Sequence, residues 1–220
     1  MHKKPVSSKF NAAIFDMDGV ITNTMGYHYR AWVQTLKTAG ITIDRNEVYC
    51  REGQAGLTTV KELFQERGLT YNEAVVKKIL AQKEALFKKI VKVRFIAGSR
   101  SFLRYLHHKG IRLALVTGTS RHEAERILPK SLISLFEVTI TGDEVRHGKP
   151  HPEPFSTALR RLRIKAGDAL VIENAPFGIT SAKRTGIFCV ALETSLPRRF
   201  LKDADRVYSS FRELRKSCLL

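Results

Sequence analysis

The stretch Asn11-Ala-Ala-Ile-Phe-Asp-Met-Asp-Gly19 joins a short apolar run to two carboxylates that stand two residues apart. The apolar part predicts a buried β-strand that ends at an Asp-x-Asp-Gly loop. In such a tight turn, Asp16 and Asp18 can divide the roles of a nucleophile and a general acid/base. An EF-hand calcium loop would need further acidic residues and a closing glutamate, whereas residues 22–24 read Thr-Asn-Thr. The segment therefore predicts a strand that delivers reactive carboxylates.

The residues after this loop have the pattern of helices. Apolar side chains recur at helical spacing in three segments between residues 25 and 92. The second segment contains Thr59-x-x-Glu62, which predicts a helix that begins at a capping box, and the third spans about residues 72–91. We therefore predict an all-helical insertion over residues 25–92.

The pattern changes from about residue 95 onward. Short apolar runs alternate with helical segments up to about residue 208. This alternation is typical of a parallel β-sheet that helices cover on both faces. The fold class predicted is α/β, with a Rossmann-like parallel sheet core formed by residues 1–24 and 93–220 and the inserted helical domain between them.

Polar groups follow three further predicted strands, where ligands of parallel α/β sheets bind. Thr117 and Gly118 open a helix, so their hydroxyl and amide groups can form an anion site, although helix capping alone explains them equally well. Lys149 lies in a proline-rich loop that can hold its ammonium group at a fixed place. Glu173 and Asn174 follow a buried strand and offer the oxygen ligands that suit Mg²⁺.

The composition limits the class of protein. The chain has 38 Lys and Arg against 21 Asp and Glu, a formal net charge of +17, but no run of five consecutive basic residues. We interpret this charge as a surface field that steers an anionic small substrate, with a nucleic-acid surface as the alternative. A hydrophobic content of 43% excludes intrinsic disorder, and no apolar run approaches the roughly 18 residues of a membrane span. Three scattered cysteines and the lack of a secretory signal favour the cytoplasm.

With the four strand-end elements in this order, the chain resembles the haloacid dehalogenase-like superfamily, in its capped phosphatase and β-phosphoglucomutase branch. The resemblance covers residues 12–207 and includes all four motifs of the family. It implies that Asp16 is a nucleophile that forms an aspartyl phosphate and that Asp18 is the general acid/base. Dehalogenases of this superfamily lack an acid at the second position, so Asp18 favours phosphoryl transfer.

The resemblance also implies roles for the other strand-end residues. Thr117 and Gly118 match donors to the phosphate oxygens, and Lys149 matches the cation that stabilises both the phosphate and the nucleophile. The implied cofactor is Mg²⁺. Its implied ligands are Asp16, the backbone carbonyl of Asp18, Glu173 and Asn174.

Asn174 departs from the family pattern, which usually has an acidic residue at this position. An amide oxygen can still coordinate Mg²⁺, but one negative charge is lost from the site. We expect either a weaker metal affinity or a larger share of the metal binding for Glu173. The alternative is that Asn174 only caps the helix that begins near Pro176.

The helical insertion matches the cap of the family, which closes over the active site and reads the leaving group. Candidate substrate residues in the cap are His28, Arg51, Glu52 and Lys83. Lys83 interrupts an apolar helix face, which a lysine that snorkels at the edge of a bundle explains equally well.

The remaining histidines give no metal signature. Those at positions 107, 108, 147 and 151 lack metal-ligand spacing, so we interpret them as surface or loop residues. His122-Glu123 does not continue into a His-Glu-x-x-His helix, which excludes a zinc peptidase.

The sequence thus predicts a Mg²⁺-dependent phosphomonoester hydrolase that acts on a small phosphorylated metabolite, a sugar phosphate. We expect a cytoplasmic monomer whose partner is neither a membrane nor a nucleic acid. Thr24, His28 and Lys83 favour β-phosphoglucomutase as the second candidate, whereas the Thr117-Gly118 pair is more similar to the phosphatases. A basic nucleic-acid or polyanion-binding protein on the same fold is the candidate from another class.

Overall fold

The structure, a computed structural model, describes residues 10–217 and 219. Its centre is a six-stranded sheet with the strand order β3-β2-β1-β4-β5-β6. The strands are β1 Ala12–Phe15, β2 Arg112–Val116, β3 Val138–Ile140, β4 Ala169–Glu173, β5 Phe188–Leu192 and β6 Arg206–Tyr208. All neighbouring strands pair in parallel, so their carboxyl ends share one edge of the sheet.

Ten α-helices are found in the described residues. They are α1 Met25–Lys37, α2 Arg45–Cys50, α3 Gly56–Glu66, α4 Glu73–Ile90, α5 Ser99–His108, α6 Arg121–Ile127, α7 Lys130–Ile133, α8 Glu153–Leu162, α9 Pro176–Arg184 and α10 Phe211–Lys216. Helices α1 to α4 follow one another directly after β1, and α1 and α3 both pack against α4. None of the helices in residues 10–217 has the length and apolar character that a bilayer crossing requires.

Side chains of the central strands alternate between two apolar clusters on opposite faces of the sheet. Ala12 and Ile14 belong to the first cluster, together with apolar residues of α8 and α9. Ala13 and Phe15 belong to the second, with apolar residues of α5, α6 and α10. Because both faces are buried, the strands read as continuous apolar runs rather than as alternating ones. The predicted parallel α/β sheet core, Rossmann-like and covered on both faces, is confirmed.

The structure corrects the sequence prediction at the second helix of the insertion. Helix α3 begins at Gly56, three residues before Thr59, so the predicted capping box at Thr59 is wrong. The Thr59 hydroxyl instead donates to Oε1 of Gln54 at 2.8 Å. A reciprocal capping box does occur one helix earlier, between Asp44 and Glu47 at the start of α2. That six-residue helix is too short to give a periodic signal.

An ionic cluster centred on Glu144 ties the loop after β3 to two helices. Oε2 of Glu144 accepts hydrogen bonds from the backbone amide of Thr141 at 3.0 Å and from Arg121 at 2.6 Å. Its Oε1 accepts from Arg161 of α8 at 3.1 Å. Burial alone would raise the pKa of Glu144, but these hydrogen bonds lower it to about 2. The cluster fixes the start of α6 against the end of the sheet.

Replacing Glu144 should lower stability in a pH-dependent way. Because the folded protein depresses the pKa of Glu144, its stabilisation is complete above pH 4.5 and declines as the pH falls from 4.5 toward 2. Because solvent screens these partly exposed charges, we expect Glu144→Gln to lower the free energy of unfolding at neutral pH by only about 1–2 kcal/mol, measured by urea denaturation. The difference in the free energy of unfolding between Glu144→Gln and the unmodified chain should decrease as the pH falls below 4.5.

The matched control is Glu193→Gln, which removes a more exposed pair with Arg198. This substitution should lower the free energy of unfolding by less than about 1 kcal/mol at every pH. Equal losses for the two variants, or a Glu144→Gln loss independent of pH, would contradict the role given to Glu144.

Candidate active site

Lys149 is the centre of a buried ion cluster at the carboxyl edge of the sheet. Its Nζ lies 2.6 Å from Oδ1 of Asp16 and 2.6 Å from Oε1 of Glu173, and it donates to the carbonyl of Val116 at 3.2 Å. Lys149, Asp16 and Glu173 are each 1% exposed. Strands β1, β2 and β4 are neighbours in the sheet, so residues more than 100 positions apart in sequence meet here. This arrangement concentrates two carboxylates and one ammonium group out of contact with water.

The protonation of this cluster follows from burial and charge. Burial raises the pKa of Asp16 to about 8, against the opposing effect of the Lys149 ammonium. Burial alone would lower the pKa of Lys149, but Asp16 and Glu173 together raise it, so the amine is charged. Two carboxylates therefore share one cation. A further cation at this place would favour the ionised form of Asp16 that a nucleophile requires.

Asp18 is held by groups from three parts of the chain. Its Oδ1 accepts a short hydrogen bond from the Thr24 hydroxyl, and its Oδ2 accepts from the Thr119 hydroxyl at 3.0 Å. Nε2 of His28 lies 3.3 Å from Oδ1. Burial alone would raise the pKa of Asp18, but His28 and the two hydroxyls lower it. The carboxylate is thereby fixed in orientation and kept in its proton-accepting form.

Asn174 does not cap helix α9. The residue at the N-cap position of α9 is Ala175, and no side chain caps the helix there, so the capping alternative for Asn174 is wrong. Its Nδ2 donates to Oγ of Ser195 at 2.9 Å, which leaves Oδ1 buried without a hydrogen-bond partner. Oδ2 of Asp16 is also buried without a partner.

The two oxygens without a hydrogen-bond partner, Oδ2 of Asp16 and Oδ1 of Asn174, which we call the orphaned oxygens, indicate whether the site suits a metal ion. A buried acceptor without a partner costs about 1–3 kcal/mol, so such oxygens are expected where a cation satisfies them. One carboxylate oxygen and one amide oxygen are ligands of the kind that Mg²⁺ prefers. The residues present therefore fit Mg²⁺.

The loop after β2 offers donors at the same edge. The Thr117 hydroxyl oxygen accepts from the amide of Thr119 at 3.1 Å, so its proton points elsewhere and can be donated. Thr117 is 4% exposed. Ser120 caps α6 by accepting from the amide of Glu123 at 3.4 Å. An anion beside Thr117 would lie next to the charged Lys149.

The predicted cap residues line a cavity of about 70 Å³ between the helical insertion and this loop. Nδ1 of His28 lies 3.1 Å from Nζ of Lys83, which also lies 5.2 Å from the ring centroids of Trp32 and Phe87. Burial raises the pKa of Glu52 well above its ordinary value, and the nearby Asp18 and Asp16 add to that rise. The cavity thus combines an amine, an imidazole and a carboxyl group whose neutral form is favoured.

Arg51 also lines the cavity, but its guanidinium is already engaged. It lies 2.6 Å from a carboxylate oxygen of Glu66 and 3.7 Å from one of Glu62, both on α3. Its charge is therefore neutralised within the insertion, unlike that of Lys83.

Glycines allow the insertion to approach the sheet edge closely. A Cβ on Gly53 would lie 2.4 Å from Cδ of Lys149, and Gly53 has a φ of +78° that L side chains rarely adopt. A Cβ on Gly118 would lie 3.0 Å from the backbone of Gly53. On Gly148 it would lie 2.8 Å from the amide nitrogen of Ala55. We call these three glycines the glycine seam.

Most of the predicted site residues are brought together. Asp16, Lys149 and Glu173 are in direct contact. Asn174 and Thr117 directly follow β4 and β2, the strands on either side of β1. Sequence reasoning did not assign a site role to Thr119 or to Ser195, which hold Asp18 and Asn174. Thr119 follows directly on the predicted anion loop, which was its available signal, whereas Ser195 had none.

Fold and site together define an α/β protein with buried carboxyl groups and a buried lysine at the carboxyl edge of its parallel sheet. The model of the haloacid dehalogenase-like hydrolases matches residues 13–192. The chain belongs to this family, in the branch of phosphatases and β-phosphoglucomutases.

Relatives of known name agree with this assignment. The validoxylamine A 7'-phosphate phosphatase of Streptomyces hygroscopicus subsp. limoneus is 30% identical over 209 residues, covering 94% of this chain and 96% of the relative. The β-phosphoglucomutase of Bacillus subtilis is 29% identical and covers 84% of each chain. A solved structure from Bacteroides vulgatus, assigned to the β-phosphoglucomutases, has a TM-score of 0.85 at 30% identity and covers 97% of this chain and 90% of its own.

Proposed function

We propose that this protein is a Mg²⁺-dependent phosphomonoester hydrolase that acts on a small phosphorylated metabolite of the sugar-phosphate class. The observation that carries the proposal is the buried cluster of Asp16, Lys149 and Glu173 beside the separately held Asp18. Phosphoryl transfer depends on positioning and on compensation of negative charge, and this cluster offers both. A relative from Thermotoga maritima that is named a phosphorylated carbohydrates phosphatase, 31% identical over 180 residues and covering 80% of this chain and 82% of the relative, supports the substrate class.

The chemistry proceeds in two displacements on Asp16. In the free site the proton resides on Asp16, so it must first pass to Asp18, which leaves Asp16 ionised. The Asp16 carboxylate then attacks phosphorus, the bond from phosphorus to the leaving oxygen breaks, and Asp18 gives its proton to that oxygen. Asp18 then accepts a proton from a water molecule as the water attacks the aspartyl phosphate. The bond between phosphorus and Asp16 breaks, inorganic phosphate leaves, and both carboxyl groups return to their starting states. Lys149 and Thr117 hold the phosphoryl oxygens during both displacements.

The proposed ligands of Mg²⁺ are Asp16, the carbonyl of Asp18, Glu173 and Asn174. Bound there, the ion would supply positive charge against the phosphate and would favour the ionised nucleophile. The orphaned oxygens of Asp16 and Asn174 support this ligand set. Oε1 of Glu173 already accepts a hydrogen bond from Lys149. We therefore expect Glu173 to contribute less to Mg²⁺ binding than Asn174 does.

We propose that residues 25–92 act as a cap that closes over the phosphate and reads the leaving group. A neutral Glu52 carboxyl and the His28–Lys83 pair are suited to the hydroxyl groups of a polyol. The acidic residues Glu84 and Glu123 also line the cavity, and the charge of Arg51 is neutralised by carboxylates of α3. A second phosphate dianion on the cap side is disfavoured by these charges, which favours hydrolysis of a monophosphate.

β-Phosphoglucomutase is the second candidate, because a mutase relative aligns over most of the chain and because His28, which contacts Lys83, reaches from the cap to Asp18. A mutase must hold a bisphosphate with one phosphate at each end of the cavity. Lys83 is the amine available there for the second phosphate.

The deciding experiment measures phosphate release from a panel of sugar phosphates, with Mg²⁺ and with a chelator, and analyses the products. We expect Mg²⁺-dependent release of inorganic phosphate. Isomerisation of β-glucose 1-phosphate without release would instead establish the mutase. Absence of turnover, combined with salt-sensitive binding to nucleic acid, would establish the basic binding protein.

Restoring the family's acidic residue should tighten metal binding. Asn174→Asp adds a charge at an atom that already lacks a partner, so we expect a lower dissociation constant for Mg²⁺ in isothermal titration calorimetry. Without metal the extra charge repels Asp16 and Glu173, so the unfolding midpoint should fall and then recover when Mg²⁺ is added. The peak rate need not rise, since the new charge also repels the incoming phosphate.

Two further variants serve as comparisons for the Mg²⁺ affinity of Asn174→Asp. Asn174→Ala should weaken Mg²⁺ binding, whereas Ser195→Ala removes only the hydrogen bond to Nδ2 and should change the metal affinity little. Identical Mg²⁺ isotherms for the unmodified chain, Asn174→Asp and Asn174→Ala would show that Asn174 is not a ligand.

A further inference from the structure

We propose a second metal site, for Zn²⁺ or another late first-row divalent ion, formed by His147, His151 and Glu153 on the outer side of the loop that carries Lys149. Each of the three side chains offers one donor atom, and the three atoms lie within 4.8 Å of one another. The residues follow the pattern His-x3-His-x-Glu, and the loop turns back at the start of α8 so that all three meet. The two histidines are exposed loop residues, as the sequence predicts, but the expectation that they give no metal signature is wrong, because the structure groups them with Glu153.

Glu153 is fixed in place before any ion binds. Its Oε1 accepts from the amide of Arg146 at 2.9 Å, and its Oε2 accepts from the amide of His147 at 3.0 Å. These hydrogen bonds lower the pKa of Glu153, so the group is a carboxylate at neutral pH. A fixed carboxylate lowers the entropic cost of assembling a site around it.

His147 is oriented by the same carboxylate. Its Nδ1 lies 3.0 Å from Oε2 of Glu153, close to the spacing of about 3.4 Å between two ligand atoms on one tetrahedral ion. An ion bound at this place would replace the proton between the two atoms, and the ring proton of His147 would then lie on Nε2. Nδ1 of His147 and Oε2 of Glu153 thus already face a common position for the ion.

His151 completes the group after a small change. Its ring centroid lies 4.7 Å from that of His147, and its Nδ1 accepts from the amide of Glu153 at 3.2 Å. A tetrahedral ion with bonds of about 2.1 Å needs its ligands about 3.4 Å apart, so the most widely separated donor atoms must approach each other by up to about 1.4 Å. Both histidine rings are exposed and can rotate, and water can fill the remaining coordination positions.

The ligand chemistry separates this site from the one proposed for Mg²⁺. Two imidazoles and one carboxylate suit Zn²⁺, Ni²⁺, Cu²⁺ or Co²⁺, whereas the oxygen ligands around Asp16 suit Mg²⁺. Lys149 lies between His147 and His151 in sequence but is buried with its amine on Asp16, so the two sites lie on opposite sides of one loop. The inference rests on these exposed side chains and does not depend on the proposed hydrolase activity.

The test is metal binding to the full chain in excess Mg²⁺, which saturates the oxygen site. Zn²⁺ binding is followed by isothermal titration calorimetry, and Co²⁺ binding by its visible absorption spectrum. The variants are His147→Ala and His151→Ala, with His107→Ala at the exposed end of α5 as the control. Circular dichroism without metal checks that the three variants fold as the unmodified chain does.

We expect one Zn²⁺ for each unmodified chain and at least about a tenfold loss of affinity in His147→Ala and in His151→Ala. The control should keep the original affinity, and Zn²⁺ should raise its unfolding midpoint as it does for the unmodified chain. No binding to the unmodified chain, or equal affinity in all variants, would overturn the site. Because none of these readouts is turnover, they stand whether or not the protein proves to be a phosphatase.

Discussion

Asp16→Asn should lower turnover by about 10⁴-fold or more, because an amide cannot attack phosphorus and the two-step route through Asp16 is lost. The effect is measured as kcat for phosphate release from the best substrate of the panel. The fold should persist, since Lys149 keeps its 2.6 Å contact with Glu173. Burial already favours the neutral form of the Asp16 carboxyl, so a neutral amide should change the free energy of unfolding by less than about 2 kcal/mol.

The control for this result is Asp203→Asn, which makes the same chemical change at an exposed position and should leave kcat unaltered. Acid-quenched enzyme gives a second readout, because the unmodified chain should carry an acid-stable phosphate on Asp16 and the variant should not. Near-normal turnover in verified Asp16→Asn protein would disprove the covalent mechanism.

Asp18→Asn should lower kcat by about 10²–10⁴-fold, the range for a positioned acid/base. The loss should depend on the leaving group in the first displacement. An alkyl phosphate needs a proton on its leaving oxygen, whereas p-nitrophenolate leaves without one. With p-nitrophenyl phosphate, the variant should therefore show a rapid burst of nitrophenolate followed by slow turnover, because the aspartyl phosphate forms but water is not activated.

A matched change removes only the support of this carboxyl. Thr119→Val deletes the 3.0 Å hydrogen bond to Oδ2 and should reduce kcat less than Asp18→Asn does. It should also raise the pKa of Asp18 and move the acidic limb of the pH–rate profile to higher pH, since that hydroxyl stabilises the carboxylate. Equal losses on alkyl and aryl substrates without a burst would show that Asp18 is not the acid/base.

The sheet was predictable because each strand carries its own signal. Runs such as Ala169–Glu173 are apolar throughout, and only burial on both faces permits that pattern. The insertion was harder to predict at its helix boundaries. Thr59 and Glu62 fit a capping box by spacing, but Gly56 opens the helix and Thr59 bonds to Gln54. Residue spacing cannot distinguish a true cap from a threonine inside the first turns of a helix.

In the candidate site, too, some features were predictable from the sequence and others were not. Asp16, Lys149 and Glu173 follow strands, so the topology that the sequence predicts already brings them together. Their hydrogen-bond partners, however, lie in parts of the chain that the strand pattern does not identify. Ser195 lies 21 positions after Asn174 in a loop, and its contact decides which end of the amide is free to bind a cation. Nothing in local sequence encodes such a contact, and the grouping of His147 with His151 depends likewise on how one loop turns.

The glycine seam has a consequence for how this enzyme meets its substrate. With Gly53, Gly118 and Gly148 in contact range of the facing chain, Asp16 is only 1% exposed and the cavity holds about 70 Å³. A substrate larger than this cavity can reach Asp16 only in molecules in which the residues facing the glycine seam have moved away from it. The apparent dissociation constant of such a substrate therefore equals the intrinsic constant divided by the fraction of these open molecules. Gly53→Ala would raise that fraction, because the added methyl group would collide with the side chain of Lys149 when the seam is closed. Such a variant would bind substrate faster, but its closed form, which encloses the substrate during the reaction, would be less stable.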